Sequence, residues 1–361
     1  MELEILLTGD IHVFKHKNKS ERLYDCLDAL TWIFETALKE NIRHVCFLGD
    51  LFHHRYSIHV PAYQMTYEIL RKYAQDKGIK VWLLVGNHDM WYHDRWDVSA
   101  VIPLGSIPNV TVVNKPCTLE IEHDCRASFL PYTANPPEDI KGIVNDAHFK
   151  MLLGHAAVDG AIYNVRSSTH AEVSIETDGD MIKVTPGVFA GWDRVFLGHY
   201  HTPQKMSDTV EYVGSPLELC FNDVFQEKHV VIFDYDTHCA RYVANTVSPH
   251  HVISTVADLP KYDLNNAFLS LLAADMSSPE VLELYKKLIE ENDLRSFEVA
   301  PEKRVTKEEK EFFQTTRSIR GNESQITQNY IEWAEKENKL GDLKAAKLKK
   351  LALAVATKVD G

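Results

Sequence analysis

The sequence predicts an α/β protein in which two sheets pack against each other with helices outside. Short apolar runs alternate with amphipathic stretches in the first part of the chain. The later part contains further strand-like runs, enough for a second sheet, and polar motifs come directly after several of the runs. Such alternation is typical of an open, largely parallel sheet. The chain has 361 residues, so we expect more than one domain.

The first predicted unit has the order β-α-β-α-β. Its strands are the apolar runs at residues 4–7, 45–48 and 81–85. A helix of about 20 residues lies between the first two strands, with its apolar side chains on one face and Ser20 as its N-cap. Pro61 suits the first turn of the second helix, and Gly78 suits its end.

Later runs extend the fold and mark its domains. Strands are expected at residues 151–153, 195–197, 210–213 and 230–233, with a hairpin turn at 234–237. These complete a main domain, residues 1–247. Residues 248–304 predict a small α/β accessory domain, with strands at 251–256, 268–273 and 296–299 and a helix capped by Ser278 ahead of Pro279. Residues 305–361 are rich in Lys, Glu and Gln and predict two amphipathic helices.

Composition limits the classes of function. A net charge of −13 argues against a protein that grips nucleic acid over its whole surface. It leaves room for a nucleic-acid enzyme, because several carboxylates would bind cations. The six cysteines form no C-x-x-C pair, and no apolar run approaches the ~20 residues that span a bilayer. With no leader at the N-terminus, we expect a cytoplasmic, soluble protein that does not enter membranes.

Five polar motifs follow or end strand-like runs. They are Asp10-Ile11-His12, Gly49-Asp50, Gly86-Asn87-His88-Asp89, Gly154-His155 and Gly198-His199-Tyr200-His201. Any one of them is weak, because a lone Gly-Asp is usually a turn and a lone buried histidine is usually part of a core. Ligands of open α/β sheets bind beyond the carboxyl ends of the strands. The five motifs together therefore predict one site.

The residue types of these motifs indicate bound metal ions. Asp and Asn oxygens occur with His nitrogens and no thiolate, which suits Mn²⁺, Fe²⁺ or Zn²⁺ better than Ca²⁺ or a structural zinc. In a pair of ions ~3.5–4 Å apart, one carboxylate must bridge, and we assign this role to Asp50. We also expect Asp89 to orient the ring of His88, as carboxylates do for catalytic histidines.

The motif set resembles that of the calcineurin-like metallophosphoesterases. Within that family it is most similar to the SbcD-type DNA nucleases, including the recombination endonuclease subunits of tailed phages. Residues 49–53, the stretch from 167–169 through 189–199, and residues 212–216 carry this closer resemblance, which covers about residues 1–300 in order. One departure is Ala156-Ala157 after His155, where many relatives have polar residues.

The resemblance implies a role for each matched residue. One ion would be held by Asp10, His12, Asp50 and His201, and the other by Asp50, Asn87, His155 and His199. The two ions would most often be Mn²⁺. His88 would be the general acid and His53 would position the phosphate. The implied activity is 3′-to-5′ exonuclease and endonuclease cleavage of DNA in repair and recombination.

Two clusters beside the motifs are candidate DNA contacts. Lys15, Lys17 and Lys19 follow the first motif, and Trp91, Tyr92 and Arg95 follow the third. Backbone contacts and base stacking on aromatic rings would use these side chains. A solvated loop for the lysines and local packing for the aromatic rings are the alternatives.

The C-terminal helices are expected to bind an SbcC-type, SMC-like ATPase subunit, as the resemblance implies. The alternative is that they pack on the rest of the chain. The sequence is also compatible with a homodimer. Two rival functions remain: a phosphatase or small-nucleotide phosphodiesterase on the same site, and a non-catalytic scaffold that binds DNA ends.

Overall fold

The computed structural model describes residues 3–16, 19–92, 94–122, 125–161, 183–224, 226–273 and 276–300. The described residues belong to one compact unit. The predicted C-terminal helices, Lys17 and residues 167–169 lie outside the described ranges. The domain boundaries at residues 247 and 304 stay predictions. Among the described residues, no helix combines the length and hydropathy required to cross a bilayer.

Strands and helices alternate through the first part of the chain and give way to strands in the second. Up to the third motif the elements are β1 Glu4–Thr8, α1 Ser20–Lys39, β2 His44–Phe47, α2 Val60–Leu70 and β3 Lys80–Leu84. Next come β4 Val110–Val113, β5 Cys117–Glu122, β6 Cys125–Leu130, α3 Pro136–Gly142, β7 Met151–His155, β8 Ala157–Val158 and β9 Lys183–Val184. The described chain ends with β10 Arg194–Gly198, β11 Gln204–Lys205, β12 Val210–Tyr212, β13 His229–Asp234, β14 Cys239–Ala244, β15 His250–Thr255, β16 Ala267–Leu272, α4 Ser278–Glu291 and β17 Ser296–Ala300.

Two six-stranded sheets form the body of the protein. Their strand orders are β14-β13-β1-β2-β3-β4 and β11-β12-β10-β7-β6-β5. In the first sheet β1 to β4 are parallel, and in the second β12, β10, β7 and β6 are parallel. Each sheet thus contains four adjacent parallel strands, and the carboxyl ends of strands in both sets carry the five motifs.

The pleat of β1 explains why the sheets and helices form layers. Leu6 belongs to the apolar core that includes Leu27 and Leu30 of α1, whereas Ile5 and Leu7 belong to the core that includes residues of the second sheet. Successive side chains of a strand point to opposite faces. An apolar run without alternation therefore fits a strand that is covered on both sides, and the predicted pair of packed sheets with outer helices is confirmed.

The two predicted helix caps differ from the structure by one residue each. Ser20 is the first residue of α1, and its N-cap is Lys19, which makes no side-chain capping bond. The N-cap of α4 is Ser277 and not Ser278, because Ser277 and Glu280 form a reciprocal capping box. Pro61 and Gly78 lie where the sequence predicts, in the first turn of α2 and just after a π-helical extension, Arg71–Asp76.

The third sheet, β15-β16-β17, is parallel, and α4 connects its last two strands. Polar contacts join it to α1 and to the loop after β12. Asp25 of α1 accepts hydrogen bonds from Arg22 and from Arg295, and Glu218 accepts the His251 N–H. Since Asp25 is buried, these charges are paired where solvent does not screen them. The accessory segment is therefore fixed beside the end of the body that carries the first motif.

Candidate metal centre

The loops that hold the motifs adopt an unusual backbone conformation. Asp10, His12, Asp50 and His199 have positive φ values of 54°, 50°, 53° and 106°. Such conformations cost ~1–3 kcal/mol each for residues other than glycine and persist where the surroundings over-determine them. The first two loops run side by side, because the N–H groups of Asp10 and His12 donate to the carbonyls of Gly49 and Asp50. Strained backbone at four predicted ligands marks a functional site.

Close packing beneath these loops requires glycine. Gly49 has a φ of +97°, and a Cβ added there would lie 2.2 Å from Nδ1 of His155. A Cβ on Gly86 would lie 2.1 Å from Oδ1 of Asp50. Atoms cannot approach this closely without displacement, so both glycines of these motifs serve to bring polar side chains together.

One group of ligand atoms consists of Asp10, His12 and His201, here called the Asp10 group. Nε2 of His12 lies 3.0 Å from Nε2 of His201. Two nitrogens that each bind one ion at ~2.1 Å and at right angles are separated by about this distance. Asp10 and His12 are buried, and His201 is partly exposed. This group can therefore hold a cation at the floor of an open site.

The second group consists of Asp50, His155 and His199, here called the His155 group. The side-chain oxygen of Asn87 lies 2.9 Å from Nε2 of His155 and 3.0 Å from Nδ1 of His199. The Nδ1 of His155 donates a hydrogen bond of 2.7 Å to the carbonyl of Leu48. This contact orients the ring so that Nε2 faces the site, which is how histidine ligands are usually held.

Asp50 lies between the two groups. Its Oδ2 is 3.6 Å from Nε2 of His12 and 3.4 Å from Nε2 of His155. Its Oδ1 accepts the backbone N–H of His88 at 2.8 Å. One carboxylate oxygen thus faces ligands of both groups, as a bridge between two ions requires.

The electrostatics of the site favour cations. Burial lowers the pKa of His199 to about 3 and that of His201 to about 4, so both rings are neutral, which is the form that binds metals. Burial raises the pKa of Asp10 to about 7. Burial would also raise the pKa of Asp50, but His155 and His88 hold it well below its ordinary value.

His155 differs from the other histidines of the site. Burial lowers its pKa, but the carboxylates of Asp50 and Asp10 outweigh this effect and raise the pKa to about 9. A positive charge is therefore favoured at this position beside Asp50. Two buried carboxylates, the neutral imidazoles of His199 and His201 and one amide oxygen fit divalent ions of the Mn²⁺, Fe²⁺ and Zn²⁺ class.

His53 and His88 lie beside the Asp10 group. The two rings stack with centroids 5.7 Å apart, and Nδ1 of His53 is 3.2 Å from Nδ1 of His12. His12, His53 and His88 could also group around an ion. A neutral imidazole binds through one nitrogen only, so His12 can serve one of the two groups at a time. We favour the Asp10 group because it contains a carboxylate.

Asp89 has different contacts from those we expected. Its two carboxylate oxygens accept the backbone N–H groups of Phe52 and Gly86, at 3.1 and 3.0 Å. Nδ1 of His88 is hydrogen-bonded to the carbonyl oxygen of His53, at 2.7 Å. A backbone carbonyl therefore takes the orienting role that we assigned to Asp89. The buried Asp89 instead joins the loops of the second and third motifs.

The candidate DNA contacts are dispersed. Lys15 is partly exposed and Lys19 is exposed, both on the loop before α1. Trp91 and Tyr92 are 44% and 40% exposed, so neither ring is fully used in local packing. The guanidinium of Arg95 makes two hydrogen bonds to Asp97, at 2.7 and 2.5 Å. Its charge is thus already paired within the chain.

Sequence reasoning missed a buried lysine behind the Asp10 group. Nζ of Lys228 donates to the carbonyl of His201 at 2.8 Å and to the side chains of Ser215, Asp223 and Gln226 at 3.0, 3.1 and 2.9 Å. Lys228 is only 5% exposed, so its charge is compensated by Asp223. The one available signal was Ser215, which lies in a stretch that carried the family resemblance.

Known proteins resemble this chain over about two thirds of its length. A family model described as calcineurin-like phosphoesterase matches residues 3–203, which include all five motifs. Exonuclease subunit 1 of Enterobacteria phage T4 is 23% identical over 253 residues, covering 70% of each chain. The SbcD subunit of the nuclease SbcCD from Staphylococcus saprophyticus is 22% identical over 254 residues, covering 63% of this chain and 64% of that protein. A solved archaeal phosphodiesterase is 13% identical, with a TM-score of 0.33, and the match covers 67% of this chain and all of that one.

Proposed function

The chain belongs to the calcineurin-like phosphoesterases, and from this premise we propose that it is a two-metal DNA nuclease. The observation that carries the proposal is the position of Asp50, whose Oδ2 faces His12 and His155 from the two ligand groups. A site with two cations and a shared carboxylate suits the hydrolysis of a phosphate ester.

We assign the metal ligands from the geometry. Asp10, His12 and His201 would hold one ion, with Asn87, His155 and His199 around the other and Asp50 between them. The mixture of carboxylate, amide and imidazole donors supports Mn²⁺. When bound, the ions would stabilise negative charge on the phosphate and lower the pKa of water.

Side chains of this protein would supply a proton to the leaving group and orient the phosphate. The carbonyl of His53 accepts Nδ1–H of His88, so Nε2 is the atom through which a His88 imidazolium would protonate the leaving sugar oxygen. Burial lowers the pKa of His53 to about 2, so its ring is neutral and would contact the phosphate by hydrogen bonding. The partly exposed rings of His53 and His88 form the rim that substrate meets.

DNA as the substrate is supported by the relatives. Both curated relatives are named as nuclease subunits, one an exonuclease subunit and one a subunit of SbcCD. We propose 3′-to-5′ exonuclease and endonuclease activity in repair and recombination, in the cytoplasm. We also propose that residues 305–361 bind an SbcC-type ATPase subunit.

Digestion of end-labelled linear DNA tests the proposal. We expect nucleotides to be released with Mn²⁺, more slowly with Mg²⁺, and faster when the cognate ATPase is added. Asp50→Asn is the control for contaminating nucleases. Hydrolysis of nitrophenyl phosphate without any DNA cleavage would instead indicate a phosphatase. DNA binding without hydrolysis of either substrate would indicate a scaffold.

A further inference from the structure

Large aromatic side chains are exposed beside the metal centre. Tyr56 is 61% exposed, Trp91 44% and Tyr92 40%. Tyr56 comes three residues after His53, and Trp91 comes three residues after His88. Exposed aromatic clusters on a protein surface usually mark a binding site. These rings therefore lie on the two loops that also carry the rim of the metal centre.

Two ring pairs join these loops at successive points. The rings of His53 and His88 stack at 5.7 Å, and those of Tyr56 and Trp91 meet edge to face at 5.4 Å. Three residues span at most ~10 Å. At 3.4 Å for each step of a DNA strand, this corresponds to about three nucleotides. The outer pair is thus within reach of the bases next to a phosphate that contacts His53 and His88.

The platform, defined as Tyr56, Trp91 and Tyr92, is held in place by its neighbours. The backbone N–H of Trp91 donates to the carbonyl of Val98, and Met90 forms a β-bridge with Ser99. The guanidinium of Arg95 lies 4.3 Å from the ring centre of Tyr92. A rigid aromatic surface binds with little loss of entropy.

We propose that this platform stacks an unpaired nucleobase about three nucleotides or fewer from the cleaved phosphodiester. A nucleobase is the expected occupant for two reasons. The platform is continuous with the phosphate site, and every base offers a π-face for stacking. A base in a duplex is already stacked and paired, so the enzyme prefers single-stranded or frayed ends to blunt duplexes. This inference rests on the proposed nuclease function.

The test compares KM for two single-stranded oligonucleotides of equal length. One is intact, and the other lacks the bases of the last three nucleotides at its 3′ end. The intact strand should have a KM about 5- to 150-fold lower, which corresponds to the ~1–3 kcal/mol of one base–aromatic stack. Trp91→Leu combined with Tyr56→Ala should bring the ratio close to one, whereas Trp91→Phe should keep most of it.

Tyr24→Ala is the matched control, because Tyr24 is 53% exposed on α1 and should leave the ratio unchanged. A wild-type ratio near one, or a ratio that the double variant does not alter, overturns the platform. If the double variant does not fold, Trp91→Phe compared with Trp91→Leu decides between stacking and simple apolar contact. Failure of the wild type to cleave any DNA would instead refute the proposed function.

Discussion

The two ligand groups of the metal centre are anchored by different means. In the His155 group, the ring of His155 is held directly by the carbonyl of Leu48, and the glycine beneath it leaves no free space. In the Asp10 group, His201 is held through its backbone carbonyl by Lys228, and its ring is partly exposed. The ring of His155 is fixed at the carboxyl ends of two interior strands, whereas the position of His201 depends on a buried ion pair.

This difference predicts unequal responses to mutation. A ligand fixed at a strand end moves only if the sheet moves, whereas a ligand on a loop moves when its supporting side chains change. We therefore expect substitutions at a distance to weaken the Asp10 group more than the His155 group. The predictions below test this expectation, from the largest effect to the smallest.

The largest effect should come from Asp50→Ala, because this carboxylate faces both groups. We expect the loss of both ions and of all phosphoesterase activity. Metal content after dialysis against Mn²⁺ measures the loss. His12→Ala and His155→Ala should each lower the occupancy of one ion site more than that of the other. Two ions retained per Asp50→Ala chain would contradict the bridging role.

His88→Asn should leave both groups intact and still remove most DNA cleavage. A deoxyribose oxygen leaves poorly without a proton, and general acid catalysis is typically worth ~10²–10⁴-fold. A nitrophenolate needs no proton, so the nitrophenyl ester of thymidine monophosphate should still be hydrolysed. Equal losses on both substrates, with the metals still bound, would show that His88 positions phosphate and does not donate the proton.

Gly49→Ala tests how tightly the His155 group is packed. The added Cβ would lie 2.2 Å from the His155 ring at a φ of +97°, so we expect a loss of at least ~2 kcal/mol in the free energy of unfolding. Gly187→Ala is the control, since a Cβ there has open space. Chemical denaturation of both variants gives the comparison, and equal stabilities would refute the packing argument.

The smallest effect should come from Lys228→Met, which removes the support of His201. Changes in residues that orient ligands typically cost ~10–100-fold in metal affinity, and we expect this loss for one ion only. Because Asp223 would be left buried and unpaired, the variant also loses stability.

The double variant Lys228→Met/Asp223→Asn separates the two effects of losing Lys228. It should recover stability and keep the metal defect, whereas Lys205→Met, at the exposed position of β11, should change neither. Calorimetric titration with Mn²⁺ resolves the two ions. Equal weakening of both ions would argue against separate anchoring.

Prediction from the sequence was most successful for elements whose structure depends on a few consecutive residues. The strands β1 to β3 are unbroken apolar runs, so their ends, and hence the first three motifs, could be placed in advance. Cys117–Glu122 was not predicted as a strand, because it lies at a sheet edge with mostly half-exposed side chains.

The contacts that escaped prediction join residues far apart in the chain. Lys228 meets a carbonyl 27 residues away, and Asp89 meets the N–H of Phe52, 37 residues away. No periodicity or spacing encodes such pairings. The pair of Ser277 and Glu280 was readable in principle, but an adjacent serine made the cap ambiguous by one position.

The positive φ values of the ligand loops also limit which sequences can occupy this site. Asp, Asn and His tolerate the left-handed region better than most residues, whereas β-branched side chains are strongly disfavoured there. In a library that randomises Asp10 and Asp50, both of which have positive φ, selection for folding alone should deplete Val, Ile and Thr and retain Asn and Gly. Selection for metal binding would then act only on the residue types that the backbone conformation already permits at these two positions.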